Sequence, residues 1–398
     1  MGTTLLITRL QWNSRTYIAT ALYQDKKILE LHLEPDGQQS ILGNIYVGRV
    51  KNIVKNLNAA FIEIAPGIPC YYPLEELKQP LYVKKINSPR LVQGDELVVQ
   101  VAQESSKSKP PKVTTNLNLT GNYLVLTSEN TTLGISRKLD EKKRQELKQD
   151  LTFEENSDYG IIVRTNAAFA SRQEILKEYQ KLKEEFIHLK KTAPCRTTFS
   201  CLKESTPEYL HVLQGLNRSL LEKVITDDPE LFEKTALYLE HMQPEEKEKL
   251  TFYEDNLLSL NKLYHLDVRL KEALQEKVWL KSGGYLIIQP TEALTVVDVN
   301  SGKSISGKQA QEHYLKINLE AAEELAHQLR LRNLSGIIII DFIDMKSTQS
   351  QELLMQTLRS AVRSDSVPVQ VVDRTKLNLV EITRKKVKKS LAEQVKSH

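Results

Sequence analysis

The hydrophobic positions of this chain change period several times, and each change marks a different element. TLLITRL, RTYIATALY and KKILELHL are three β-rich runs separated by turn-forming residues, a meander that Pro35, Asp36 and Gly37 end. From Gly43 to Val101 more short strands follow, IYVGRVKNIV, AAFIEI and DELVVQVA the clearest, at a spacing that suggests a small barrel. GNYLVLTS and YGIIVRTN are strand-like. Arg172 to Lys191 is a charged helix with its apolar stripe at Ile175, Tyr179, Leu182, Phe186 and Leu189. Residues 205–275 are polar and helical in pattern, as in ELFEKTALYLEHM and DVRLKEALQEKV, and carry no catalytic constellation.

The last third is the most informative. TEALTVVDVNSGK and GIIIIDFIDMK are two apolar strands, and between them Gln309 to Arg330 repeats Tyr314, Ile317, Ala321, Leu325 and Leu329 at helical spacing. Strand, helix, strand is a crossover that lays the two strands parallel. A second helix using Leu354, Leu358 and Ala361 and a strand VPVQVVD follow. A strand that apolar has no room for a carboxylate inside the sheet, so Asp298 and Asp341 are expected to emerge at the two strand ends, on one side. Taken singly, each aspartate could simply cap the next element. Taken together, with the Asn300 amide beside them, they make a hard oxygen site that suits Mg²⁺ or Mn²⁺.

Composition narrows the setting. A chain of 398 residues with 40% hydrophobic content has room for several domains. No apolar run approaches the ~20 residues of a membrane span, and no secretory leader pattern opens the chain, so a cytoplasmic protein is expected. Cys70, Cys195 and Cys201 match neither a disulfide framework nor a paired zinc spacing. The formal net charge of +4 is too small to argue for nucleic acid by itself. Its distribution says more: Lys107, Lys109 and Lys112 crowd one loop, and Arg384, Lys385, Lys386, Lys388 and Lys389 mark the C-terminal end.

The quoted acidic strands, with NLEAAEELAHQLRLRNLSGIIIIDFIDM between and across them, GNIYVGRV and GIIVRT before them and KLNLVEITRKK after them, closely resemble the ribonuclease E/G family of single-strand-specific RNA endonucleases. The resemblance covers nearly the whole chain in the family's order. It implies an α/β multidomain architecture: an RNase H-like scaffold in two pieces (1–36 and 205–275), an inserted OB-fold of the ribosomal S-one type (37–118), a 5′-sensor unit (119–204) and a DNase I-like catalytic domain with a basic tail (276–398). It implies that Asp298 and Asp341 bind Mg²⁺, that Asn300 positions them or the scissile phosphate, and that Asp344 plays a supporting part. Phe61 and Tyr71 fall on the family's stacking positions, although a barrel aromatic is more often core than ligand, and Lys109 on its basic loop residue. Arg164 and Thr165, emerging together after Ile161, Ile162 and Val163, fall on the sensor of a 5′-monophosphate, with main chain at Gly121 and Val125. Arg137 and Lys376 fall on positions that touch RNA phosphates.

Departures matter too. The family's CPxC motif, through which paired chains share zinc, does not follow SLAEQVKSH, so no structural zinc is expected and any homodimer would use other surfaces. Lys376 keeps the positive charge of a residue that is often Arg and loses the bidentate fork. The expected activity is Mg²⁺-dependent hydrolysis of single-stranded RNA to 5′-phosphate and 3′-hydroxyl ends. Two other readings stay open at this level: an RNA-binding factor that does not cut, and a metal-dependent phosphoesterase acting on DNA.

Overall fold

The computed structural model describes residues 2–37, 40–105, 109–136, 139–153, 158–216, 220–302 and 310–396. The chain divides into two compact units, one made of residues 1–38 and 220–398, the other of 39–219.

The first unit holds two sheets. In one, the meander Thr3–Trp12, Arg15–Gln24 and Lys27–Pro35 pairs antiparallel as its alternation predicts. Leu221–Thr226 adds parallel to Thr3–Trp12, and Leu250–Phe252 adds parallel to Leu221–Thr226. Those two strands lie in the stretch expected to be helical. Leu221–Thr226 buries Leu221 and then Val224, Ile225 and Thr226 in succession, so it has no period-two signature, and Leu250–Phe252 is too short to give one. Helices Pro229–Met242, Leu260–Tyr264 and Leu266–Ala273 also lie in that stretch, and Glu208–Gly215, at its start, belongs to the other unit.

The second sheet of this unit has six strands in the order Lys277–Trp279, Tyr285–Pro290, Leu294–Asn300, Gly336–Asp341, Val380–Arg384 and Val369–Arg374. Leu294–Asn300 and Gly336–Asp341 run parallel, joined through the helix Ala310–Leu331, as the crossover requires. That helix buries Ile317, Ala321, Leu325 and Leu329, four of the five positions read from its period, while Tyr314 stays half-buried. With Leu354 and Leu358 of the helix Thr348–Ala361 they close over one face of the sheet, against Leu286, Ile288, Val297, Val299, Ile338 and Ile340. The helix is also tied to the meander: Arg330 reaches Glu30 at 2.8 Å and His327 Nε2 lies 2.6 Å from the Ile28 carbonyl.

Among the described residues of this unit only one face of that sheet is covered. Ile337 is 50% exposed and Val296 37%, so the apolar run is not buried on both sides as its composition suggested. Arg384 differs from expectation as well. It belongs not to a solvated basic end but to the interior, paired with Asp365 at 2.8 Å and donating to Asn333 Oδ1 at 2.7 Å.

The second unit contains a barrel and a smaller sheet. Ile45–Val54, Ala59–Ala65, Ile68–Pro73, Lys112–Thr114 and Glu96–Gln103 pair in that order, and Ile45–Val54 pairs again with Glu96–Gln103, closing a five-stranded, OB-like barrel. The smaller sheet runs Asn118–Thr120, Leu124–Thr127, Gly160–Val163 and Gly134–Ile135. Helix Arg172–Thr192 packs on it with Ile175, Tyr179, Leu182, Phe186 and Leu189 all buried, the stripe its sequence predicts. A capping box between Ser171 and Glu174 starts that helix. No helix among the described residues is long and apolar enough to cross a membrane.

Candidate functional site

The open face of the six-stranded sheet gathers the acids. Asp298 and Asp341 are register partners on the two parallel strands, and both are exposed. Asp341 ends its strand as expected, but Asp298 lies within its own, two residues before Asn300. It is accommodated because period-two alternation turns it to the uncovered face, not because the chain has left the sheet. The same period puts Asn300 beside it, and the Asn300 amide donates to Asp298 Oδ2 at 2.7 Å. The Asp341 carboxyl is pushed up from its ordinary range, by partial burial first and then by the charges of Asp298 and Asp344.

Several residues hold this corner in place. Asn318, fully buried in the long helix, donates to the Ile343 carbonyl at 2.8 Å and accepts from the Ile343 N–H at 3.1 Å, which fixes the loop directly after Asp341. Asp344, in that loop, accepts from Asn378 Nδ2 at 3.2 Å. Asn378 sits in the hairpin turn that also carries Lys376, which is exposed. At the other strand end the backbone approach is close: a side chain on Gly284 would meet the Asn300 carbonyl oxygen at 2.7 Å. Asn318 and Asn378 escape the sequence reading because an asparagine that clamps a loop looks like any polar surface residue until its partner is known.

Among the described residues no group of three or more His, Cys, Asp and Glu side chains forms a ready-made metal cage. The donor set here is a different kind: two carboxylates and an oriented amide on an open surface. It fits a hard divalent cation that keeps several waters and accepts substrate phosphate for its remaining positions. Burial is the larger cause of the raised Asp341 carboxyl, and the lesser cause, the neighbouring charges of Asp298 and Asp344, is what such a cation would relieve.

On the barrel, Phe61 and Tyr71 are cross-strand partners with ring centroids 6.3 Å apart at 73°. Both are half-buried, whereas their neighbours Ile62 and Tyr72 are fully buried, so the pair belongs to the outer surface and not to the core. The Tyr71 N–H donates to the Pro111 carbonyl at 2.8 Å, which brings the segment containing Lys109 alongside; Lys109 is exposed. Lys112 is engaged by Glu76 at 2.5 Å. Lys107 lies outside the described residues.

In the smaller sheet Arg164 and Thr165 follow the strand Gly160–Val163, with Thr165 Oγ1 3.1 Å from Ser136 Oγ. The Arg164 guanidinium donates to the Gly121 carbonyl at 2.5 Å. Gly121 therefore offers Arg164 an acceptor, while its own N–H is bonded to the Leu124 carbonyl at 2.8 Å. Val125 stands opposite Ile162 in the neighbouring strand. The unexpected member is Glu178, whose carboxylate accepts from the N–H groups of Asn122, Tyr123 and Leu124, each at 2.8 Å. A β-carbon on Gly121 would lie 2.4 Å from that carboxylate, so the glycine is what lets Glu178 in. Burial pushes the Glu178 carboxyl up against the downward pull of those three donors and of Arg164. Arg137 lies outside the described residues.

Comparison with known proteins identifies the family. Residues 118–387 match the Ribonuclease E/G family. Ribonuclease G of Haemophilus influenzae is 32% identical over 385 residues, 93% of this chain and 78% of that protein. Ribonuclease E of the same organism is 31% identical over 389 residues, which is 94% of this chain and 41% of that protein. Ribonuclease E of Escherichia coli is 30% identical over 386 residues, 94% of this chain and 36% of that protein. The chain thus spans less than half of the two ribonuclease E relatives and most of the ribonuclease G one.

Proposed function

The chain belongs to the ribonuclease E/G family, and on that premise we propose that it is an endoribonuclease of RNA processing or decay, holding one Mg²⁺ or Mn²⁺ between Asp298 and Asp341. The observation that carries the reading is the register of those two acids on the uncovered face of one sheet. Asp298 and Asp341 would hold the cation, whose chemistry there would be to polarise the scissile phosphate and acidify a water. Asn300 keeps the Asp298 carboxylate in one rotamer through its amide. Asp344, held by Asn378, adds negative charge next to Asp341. Lys376, in the same turn as Asn378, supplies a cation to the RNA backbone without a guanidinium's two-pronged geometry.

Binding of the single strand falls to other surfaces. Phe61 and Tyr71 offer base-stacking faces, and Lys109 a cation for the backbone. Arg164 and Thr165 read a 5′-monophosphate, with main chain at Gly121 and Val125 and with Glu178 holding the intervening loop; Arg137 is assigned to backbone phosphates from sequence alone. The products are 5′-phosphate and 3′-hydroxyl ends. The same reading takes 1–36 with 205–275 as an RNase H-like scaffold and 276–398 as a DNase I-like catalytic domain, and the meander sheet extended by Leu221–Thr226 and Leu250–Phe252 supports the first of these. A cytoplasmic location goes with an RNA substrate of this kind.

The deciding experiment is cleavage of one 5′-labelled, unstructured, A/U-rich RNA with Mg²⁺. Asp298→Asn is expected to lose at least ~10²-fold in rate, the order of losing a principal electrostatic contributor, while RNA binding persists. Equal cleavage by purified wild type and Asp298→Asn would overturn the assignment.

A further inference from the structure

The first two strands of the six-stranded sheet carry an aromatic pair that no role above uses. Lys277–Trp279 pairs with Tyr285–Pro290 so that Trp279 stands opposite Tyr285 and Lys277 opposite Ile287. The next pairing sets Tyr285 opposite Asn300 and Ile287 opposite Asp298. Trp279, Tyr285 and Asn300 are thus one row across the uncovered face, and the adjacent row on that face ends in Asp298 and Asp341. Val278 turns the other way and packs on the core, so the strand's alternation holds Trp279 outward.

The arrangement is ordered rather than casual. The Trp279 and Tyr285 ring centroids are 5.3 Å apart at 64°. The Lys277 ammonium lies 3.9 Å from the Trp279 centroid and 3.8 Å from that of Tyr285. Trp279 nevertheless remains 64% exposed, leaving most of a large apolar ring in water. Strands sit ~4.8 Å apart, so the Trp279 backbone is about 10 Å from that of Asn300.

We propose that Trp279, Tyr285 and Lys277 form a base-stacking subsite for a nucleotide of the single-stranded RNA close to the scissile phosphate. The proposal rests on Asp298 and Asp341 being the cleavage centre. An unpaired nucleotide has what this surface lacks: a flat π face to cover the exposed ring and a phosphate to meet the ammonium. Lys277 pins the rings before substrate arrives, which lowers the ordering cost of the stack.

The chain has two tryptophans, Trp12 and Trp279, so Trp12→Phe makes Trp279 the sole indole emitter. Titrating that full-length variant in EDTA with an unstructured RNA oligonucleotide is expected to quench its emission, saturating where the anisotropy of labelled RNA saturates. Trp279→Ala is expected to raise KM about tenfold with kcat nearly unchanged, the order of one base–aromatic stack. Trp279→Phe should restore most of the affinity, which a purely structural role for the indole would not, and Lys277→Gln should flatten the salt dependence of KM. Unaltered emission with RNA demonstrably bound, or a wild-type KM for a folded Trp279→Ala, would overturn the subsite even where Asp298→Asn abolishes cleavage. Self-association that buries Trp279 and is lost in Trp279→Ala would overturn it too, by assigning the surface to a second copy. If Asp298→Asn cleaves normally, it is the cleavage centre that fails, whatever Trp279 does.

Discussion

Asn300 donates from Nδ2 to Asp298 Oδ2 at 2.7 Å, across a single intervening residue whose side chain points to the opposite face. An acidic side chain on an open sheet face would otherwise sample several rotamers. The amide selects one and engages a single carboxylate oxygen, Oδ2.

Replacing Asn300 by Ala therefore separates orientation from charge. The expected result is a fall in cleavage of about tenfold, from loss of a hydrogen bond to a charged group worth roughly 1.5 kcal/mol, and an increased Mg²⁺ requirement. A titration of rate against Mg²⁺ checks this; a variant with the wild-type curve would show that Asp298 needs no orienting partner.

Asn318→Ala should act at a distance. It leaves the Ile343 N–H and carbonyl without their buried partner, at a cost of roughly 1 to 3 kcal/mol, and loosens the loop between Asp341 and Asp344. Denaturant unfolding should register the loss of stability and single-turnover cleavage the loss of rate. A stable variant with full activity would remove Asn318 from any positioning role.

Arg164→Ala should lower the preference for a 5′-monophosphate over a 5′-hydroxyl substrate by about tenfold or more, since a charge-assisted contact carries roughly 1.5 to 3 kcal/mol. Matched pairs of RNAs differing only at the 5′ end measure it. Equal slowing of both members of the pair would instead assign Arg164 to holding the Gly121 carbonyl.

Stability in acid should depend on Glu30. Burial acts to raise its carboxyl, but His32 and the Arg330 guanidinium outweigh burial and hold it from 4.5 down to about 2. A depressed carboxyl contributes fully above its unfolded value and loses that contribution as pH falls toward the folded one. Glu30→Gln is thus expected to cost roughly 3 kcal/mol above pH 4.5. The gap from wild type should close between pH 4.5 and about 2. Parallel melts across that range test it, and a gap that stays constant with pH would rule out the carboxylate as its source.

The legibility of this chain in its sequence follows from what each signal depends on. The stripes at Ile175–Leu189 and Ile317–Leu329 are local properties of a helix, and the structure buries them as read. The acidic strands are legible as a pair, since a single aspartate after an apolar run could merely cap the next element, whereas two on the strands of one crossover fall on the same sheet. The face on which Asp298 stands was not, because that depends on what covers the sheet: two helices close one side and leave Ile337 and Val296 in water on the other. Arg384 misled for a related reason, since its buried partner Asp365 is distant enough in the chain to be invisible beside four neighbouring lysines. Glu178 and Asn318 carry no sequence signal at all; each is identified by the backbone groups it satisfies.

Asp298 and Asp341 are joined through the peptide pairing of two adjacent parallel strands, so the backbone ladder fixes the span between their α-carbons at about 4.8 Å. Neither loop sets that gauge. Changes in the surrounding turns would therefore leave the distance between the two carboxylates as it is for as long as those two strands stay in step.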